Sequence, residues 1–353
     1  RGIATALSTR ASAVTKPTDP RAVDLYLRAR AELRRFWGNH AQTAAGLLEQ
    51  AVEYAPTSPP ILGAYAYAAV QAWVMRGEPD LLPRAEQALE RGLASGHGEA
   101  FLASAQYRFN RGEPERAAAD LARALVRTPM SAQTHELAGK ILVEIDGPGA
   151  ARQHYETARG LDPGRSQIID TDLARVDALE HKWADADRRV AGLLADADPA
   201  IAQLGFVTKA RLTTWRGSRD VLVELARSFM NRVSENSSAV FQVLVGLERD
   251  GSLDRAALGR AIEAPMLPGH PSRQVLIRGQ ILCEVALAFD HTDLALTALE
   301  QLSQAGFMDI TWLDNCPLMA SIVNRSAFIR LRTEIGDRAG RVLAAFRAVT
   351  AHG

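Results

Sequence analysis

Along this chain, helix-forming stretches alternate with short turns, and their small and large apolar residues fall at fixed distances from a closing proline. The pattern is sharpest between Gly98 and Pro163. One stretch, GEAFLASAQYRFNRGEPERAAADLARALVRTP, ends at Pro129. The next, AQTHELAGKILVEIDGPGAARQHYETARGLDP, ends at Pro163, 34 residues later. Ala105 and Gly139 share one offset from the proline, Ala117 and Ala151 a second, and Ala124 and Ala158 a third. Leu121 and Tyr155 share an offset that takes a large side chain. Each stretch therefore predicts two helices that cross closely, with small residues where the backbones nearly touch and the larger residue filling space between units. RGEP (111–114) and DGPG (146–149) supply the turn between helices. The closing prolines cannot continue a helix and bias the preceding residue away from helical geometry.

A period of 34 residues is that of the tetratricopeptide repeat (TPR), a helix-turn-helix unit that buries its apolar face only by stacking. The two stretches resemble that family. They depart from it at Ser104 and Ala138, where a large aliphatic is usual, and at His135, where an aromatic is common. The same offsets recur upstream at Ala44, Leu48, Ala51 and Pro56, and again at Ala85, Leu89 and Gly92. Downstream the period loosens to 36 residues, with Ala174 and Ala186 at small positions and Pro199 closing. A sixth pair follows over 201–233, with Ser218 as N-cap. The predicted fold is all-α, a TPR-like α-α superhelix of antiparallel helix pairs with a diverged helical cap. Residues 1–20 read as the tail of a preceding helix and a linker, in which Thr18 or Asp19 caps the first helix and Pro20 starts it. Residues 21–233 hold about six pairs, and 234–353 hold diverged helical units. In that last part Ser252 and Thr292 are expected as caps, and 264–272 is the clearest break. A long helix after Ser326 is expected to close the stack with a charged face of Arg330, Arg332, Glu334, Asp337, Arg338 and Arg341.

Composition narrows the function. The 353 residues carry 41 basic and 41 acidic side chains, a formal net charge of zero. That argues against nucleic acid or an anionic membrane as partner, since either needs a basic excess or stripe. Cys283 and Cys316 make neither a metal spacing nor a disulfide framework. Residues 54–75 carry no charge, but Pro56, Pro59 and Pro60 shorten the apolar run below a membrane span, so a buried repeat helix is expected. No signal peptide is visible, and with Arg1 in place of a methionine the chain reads as a fragment of a larger protein.

Candidate chemistry is sparse. The two turn glycine motifs lack the Lys-Ser/Thr of a phosphate loop. Asp170, Asp172, Asp177, Glu180, Asp185 and Asp187, with His181, suggest metal ligands at first sight, but read better as carboxylates complementing helix starts. His291 and Asp293 stand close without a nucleophile to complete a triad. Arg28, Arg30, Arg34 and Arg35 beside Trp37 read as a solvated flank balanced by Glu32. No catalytic residue, metal or cofactor is expected.

Two short segments widen the resemblance. KPTDPRAVDLYLRARAEL (16–33) looks like the start of the TPR half of bacterial multi-domain signalling proteins, and the GF-x-D-x-x-WL-x-x-CPL pattern from Gly306 resembles their closing motif. In those families the repeats follow a serine/threonine protein kinase, an adenylate cyclase or a winged-helix module. The resemblance implies a non-catalytic interaction scaffold, holding a peptide or partner protein in its concave groove. It places Glu99, Leu102, Gln106, Phe109, Asn110, Gln133, Glu136, Lys140, Val143 and Glu144 on that groove, a moderately acidic set that suggests a partner segment with basic character. The alternative is an autoregulatory or small-molecule-sensing array packed on its own upstream kinase or cyclase. A cytoplasmic setting is expected, or a periplasmic one if a membrane span precedes residue 1.

Overall fold

The computed structural model describes residues 19–35, 39–230, 253–264 and 269–351, the side chains of 226–230 apart. Expectations for residues 1–18, Trp37, 237–252 and Ser252 lie outside them. Every element among the described residues is helical. Six pairs run in order: α1 (Pro20–Glu32) with α2 (His40–Tyr54), α3 (Pro59–Arg76) with α4 (Leu82–Ala94), and α5 (Gly98–Asn110) with α6 (Pro114–Arg127). Then come α7 (Ala132–Ile145) with α8 (Pro148–Leu161), α9 (Ser166–Leu179) with α10 (Trp183–Leu194), and α11 (Pro199–Trp215) with α12 (Arg219–Met230). The C-terminal part holds α13 (Arg255–Glu263), α14 (Ser272–Ala288), α15 (Thr292–Gln304), α16 (Ile310–Asn315) and α17 (Ser326–Thr350). The fold is an all-α, TPR-like solenoid.

Local chemistry sets the ends. Asp19 accepts the Arg21 amide at 2.9 Å ahead of Pro20, capping α1. Gly77 takes φ +68° to end α3, a conformation that favours glycine. Asp254 caps α13 by accepting two amides, from Ala256 at 2.9 Å and Ala257 at 3.0 Å. Thr292 is not a cap: it is the first helical residue of α15, after His291, and no side chain caps that end.

The small positions do what the crossing geometry requires. A Cβ on Gly139 would stand 2.7 Å from the Tyr155 ring, and one on Gly92 would stand 2.8 Å from Ala66. Tyr155 thus fills space within its own α7–α8 unit and also joins a core with Ile169 and Leu173 of the next unit. Ala117, Leu121, Ala124, Ala151 and Ala158 are completely buried. α3, uncharged until its last residue Arg76, is buried around nearly its whole circumference among α2, α4 and α5, and no helix among the described residues is long and apolar enough to cross a membrane.

Beyond α13 the chain turns back on itself. Trp73 Nε1 donates to the Gly269 carbonyl at 3.1 Å, Gln274 donates to Val74 O at 2.7 Å, and Ser272 Oγ donates to Phe109 O at 3.3 Å. The start of α14 therefore sits on the C-terminal ends of α3 and α5. The apolar stripe of α17 serves two cores. Phe328, Leu331 and Ile335 join the core of α8–α15, whereas Ala339, Val342 and Phe346 join the core of α1–α7. The sequence assigns this helix to the end of the stack, but in the structure it lies along α6 and α7. Part of its charged face is used internally, as Arg338 donates to the Phe307 carbonyl and Arg341 pairs with Glu115.

Candidate interaction groove

The first helices of successive units, α3, α5, α7 and α9, line one face of the array, and the ten candidate groove residues lie on α5 and α7. The structure divides them into three groups. At the C-terminal ends of α5 and α7, Phe109, Asn110, Val143 and Glu144 are buried. The Arg273 guanidinium of α14 lies 4.3 Å over the Phe109 ring and donates to Glu144 at 2.9 Å. This end is closed by the chain itself. At mid-helix, Leu102 is buried in the first core, Gln106 donates to Gln71 at 2.6 Å, and Lys140 donates to Glu136 at 2.6 Å. Glu99 and Gln133, at the helix starts, are the two of the ten that line an open cavity.

The acidic members are internally neutralised. Glu136 accepts from Lys140 and from Arg165 Nε at 2.9 Å, and Lys140 also stands 3.7 Å from Asp172. Burial would raise the Glu136 carboxyl, but Lys140 and Arg165 outweigh it and hold it down at about 2. Glu99 pairs with Arg30. Burial pushes the Glu144 carboxyl up while Arg273 opposes. The acidity counted along the sequence is therefore not presented to a partner, and the argument for basic character in that partner falls with it. Nor does reversing Glu136 and Glu144 probe the groove surface, because both carboxylates hold the fold.

The departures from the repeat pattern also turn inward. Ser104 donates to the buried Asp120 at 2.6 Å, which Arg108 and Arg123 neutralise. Ala138 is completely buried. His135 Nε2–H donates to Pro129 O at 3.0 Å, which leaves its Nδ1 to accept from His154 Nδ1 at 2.8 Å. Burial, with His135 adding to it, lowers His154 to about 4, so His154 is neutral at ordinary pH. These changes alter the interior of a unit and leave the groove surface alone.

The acidic run proves to be an ion-pair network more than a set of helix-start charges. Asp177 accepts from Arg152 at 2.7 Å and Arg189 at 2.8 Å, Glu180 from Lys182 at 3.0 Å, and Asp187 from Arg216 at 2.9 Å. Only Asp185 lies in a helix's first turn as expected. Among the described residues, no cluster of three His, Cys, Asp or Glu is placed to hold a metal ion. Cys283 and Cys316 are free and buried, and burial pushes both thiols far up, which keeps them unreactive. His291 and Asp293 both face Arg255, an ion pair in place of a catalytic group.

The open space is a cavity of about 530 Å³ at the edge of the array. Arg30 and Arg34 line it from the end of α1, Glu99 from α5, Arg127 and Met130 from the end of α6 and the turn after it, and Gln133 from α7. Met130 is 77% exposed, the most exposed large apolar side chain among the described residues. Sequence reasoning missed this cavity because its cations come from turn-proximal positions outside the groove offsets. Its only signal was the arginine flank at 28–35.

No protein-family model and no curated protein matches the chain. Among solved structures it is similar to two of monomeric IFIT1 mutants, one with Gppp-AAAA and one with m7Gppp-AAAA. Each shares 16% identity, with 97% of this chain and 75% of the other aligned, and the TM-scores are 0.35 and 0.36. Neither superposition is close enough to carry an argument about this chain.

Proposed function

We propose that the chain is a non-catalytic scaffold that holds a peptide or protein partner at the open, N-terminal end of its concave face. It would serve as the regulatory part of a bacterial signalling protein of the kind its terminal segments resemble. One observation carries this reading. The cavity at the starts of α5 and α7 is solvent-open and spans several repeat units, whereas the C-terminal ends of the same two helices are covered by α14. Stacked helices supply a rigid concave wall, so a bound segment loses little affinity to rearrangement of the scaffold. The wall carries ion pairs and packing residues but no nucleophile beside a base, which fits recognition better than catalysis.

The test is selection of a peptide display library on the chain, followed by binding isotherms for the selected peptides. Gln133→Trp, which fills the mouth from α7, is expected to abolish binding while leaving the melting temperature unchanged. Selected peptides that bind the variant as tightly as the parent would place the site elsewhere.

A second reading has its own observation. Val23 and Leu27 on α1 are 41% and 59% exposed, next to the segment that leads into the array. They suit docking of an upstream catalytic domain, and hence autoregulation. Deleting residues 1–353 from the full-length protein would raise or lower its catalytic activity on that reading, and unchanged activity overturns it.

A further inference from the structure

We infer that the mouth selects its partner by negative charge and takes an acidic peptide segment, with an apolar partner side chain set against Met130. This rests on the scaffold reading above and adds the chemistry of the partner. The argument is an account of charges around one cavity. Of its two carboxylates, Glu99 is neutralised by Arg30, while Asp162 accepts the Gly164 amide at 3.2 Å, which does not neutralise it. Behind the wall, Glu136 is consumed by Lys140 and Arg165.

Its guanidinium groups are not equally engaged. Arg34 makes no ion pair and no side-chain hydrogen bond among the described residues, while its backbone amide alone bonds to Ala31. Arg127 meets only uncharged groups, the Gly96 carbonyl at 3.1 Å and the Phe101 ring at 5.2 Å. Burial lowers the His97 imidazole below its ordinary value, so His97 adds no positive charge at neutral pH. Two cations without an ion-pair partner, one after α1 and one at the end of α6, thus line the same cavity against the single unpaired carboxylate of Asp162, which leaves the mouth net positive. Guanidinium forks pair with carboxylates through two parallel hydrogen bonds, which favours Asp and Glu side chains that can reach both. The exposed Met130, which lines the same cavity, offers an adaptable apolar contact.

A single-stranded nucleic acid is the competing polyanion, and the cavity suits it less well. Among the described residues no Phe, Tyr or Trp lines the space, and the nearby Phe101 ring is covered by Arg127, so none of them gives bases a platform to stack on.

The experiment measures fluorescence anisotropy of labelled dodecapeptides on the full chain: one of Asp and Glu with a central Leu, its Lys/Arg counterpart, and its Ser/Gln counterpart. An oligo(A) RNA is the fourth probe. The acidic peptide is expected to bind most tightly and to weaken as salt is raised. In the double variant Arg34→Glu/Arg127→Glu its affinity should fall on the order of tenfold, with circular dichroism and melting unchanged. Arg34→Lys/Arg127→Lys should retain part of the binding. If the basic or neutral peptide binds best and Gln133→Trp blocks it, the charge inference is overturned while the scaffold reading survives. Tighter binding of oligo(A), lost in the double reversal, overturns it in favour of nucleic acid. Acidic binding that ignores both variants removes it from this cavity. Failure of all three peptides, and of the display library, overturns both readings together.

Discussion

The two ends of the concave face are built from the same repeat offsets and behave in opposite ways. At the C-terminal ends of α3, α5 and α7, the face is covered by α14, and polar groups there are locked between helices distant in sequence. Arg273 is held by Glu144 and Phe109, and Trp73 by the Gly269 carbonyl. At the N-terminal ends α5 and α7 border a cavity of about 530 Å³, two of whose cations, Arg34 and Arg127, meet no carboxylate among the described residues. A repeat position therefore does not carry a fixed role. Whether it becomes core or binding surface depends on what the rest of the chain lays over it.

The largest expected effect lies at the closed end. Glu144→Ala strands the Arg273 guanidinium in a nearly dry site and should cost about 3–5 kcal/mol by denaturant unfolding. The paired replacement Glu144→Leu/Arg273→Met should recover much of that loss. A single-variant loss as small as a surface change would show that α14 does not seal this end.

Acid should weaken the buried wall before it touches the mouth. Glu136 is held at about 2 when folded, against its ordinary 4.5, so its contribution is fully present above about pH 5 and is lost as pH falls toward 2. That contribution is roughly 2–3 kcal/mol. His154 is lowered to about 4 from 6.5, so its contribution has the same sign and is lost as pH falls from 6.5 through 4. Thermal melts across this range should show stability falling in two stages, with Glu136→Gln flattening the lower one and His154→Asn the upper. Stability that rises on acidification would contradict both assignments.

Overpacking comes next. Gly139→Leu drives a side chain into the Tyr155 ring and should cost about 1–3 kcal/mol. Gly149→Ala, where an added Cβ meets nothing within 4 Å, is the control. Equal melting temperatures for the two variants would break the close-crossing argument.

The smallest effect is expected at the mouth. Arg34→Glu/Arg127→Glu should change unfolding free energy by less than about 0.5 kcal/mol, because both side chains are exposed and neither meets a carboxylate. A larger loss would mean that these arginines serve the fold, and the contrast between the two ends would disappear.

Much of the repeat scaffold was legible along the chain, because its signals are local. A glycine at 139, alanines at 117 and 151, and prolines at 129 and 163 specify close crossings and stops through backbone sterics. The ten groove positions, which lie on α5 and α7, came from the resemblance to the repeat family. Their roles were not legible there. Ser104 and Ala138 turn out to be buried polar and packing solutions inside units, and His135 is a half-buried one paired with His154. The acidic run at 170–187 looks like helix-start charge and becomes a network, because arginines from neighbouring helices reach it.

The sequence by itself determined the helix pairs and the close approach within each unit, since propensity, turn chemistry and side-chain size act over a few residues. Only the tertiary structure decided that 269–351 returns to cover one end of the face, that α17 spans two cores, and that Arg34 and Arg127 share a cavity. Those outcomes depend on contacts between residues far apart in the chain, where burial and charge pairing are properties of the assembled surface and of no local stretch.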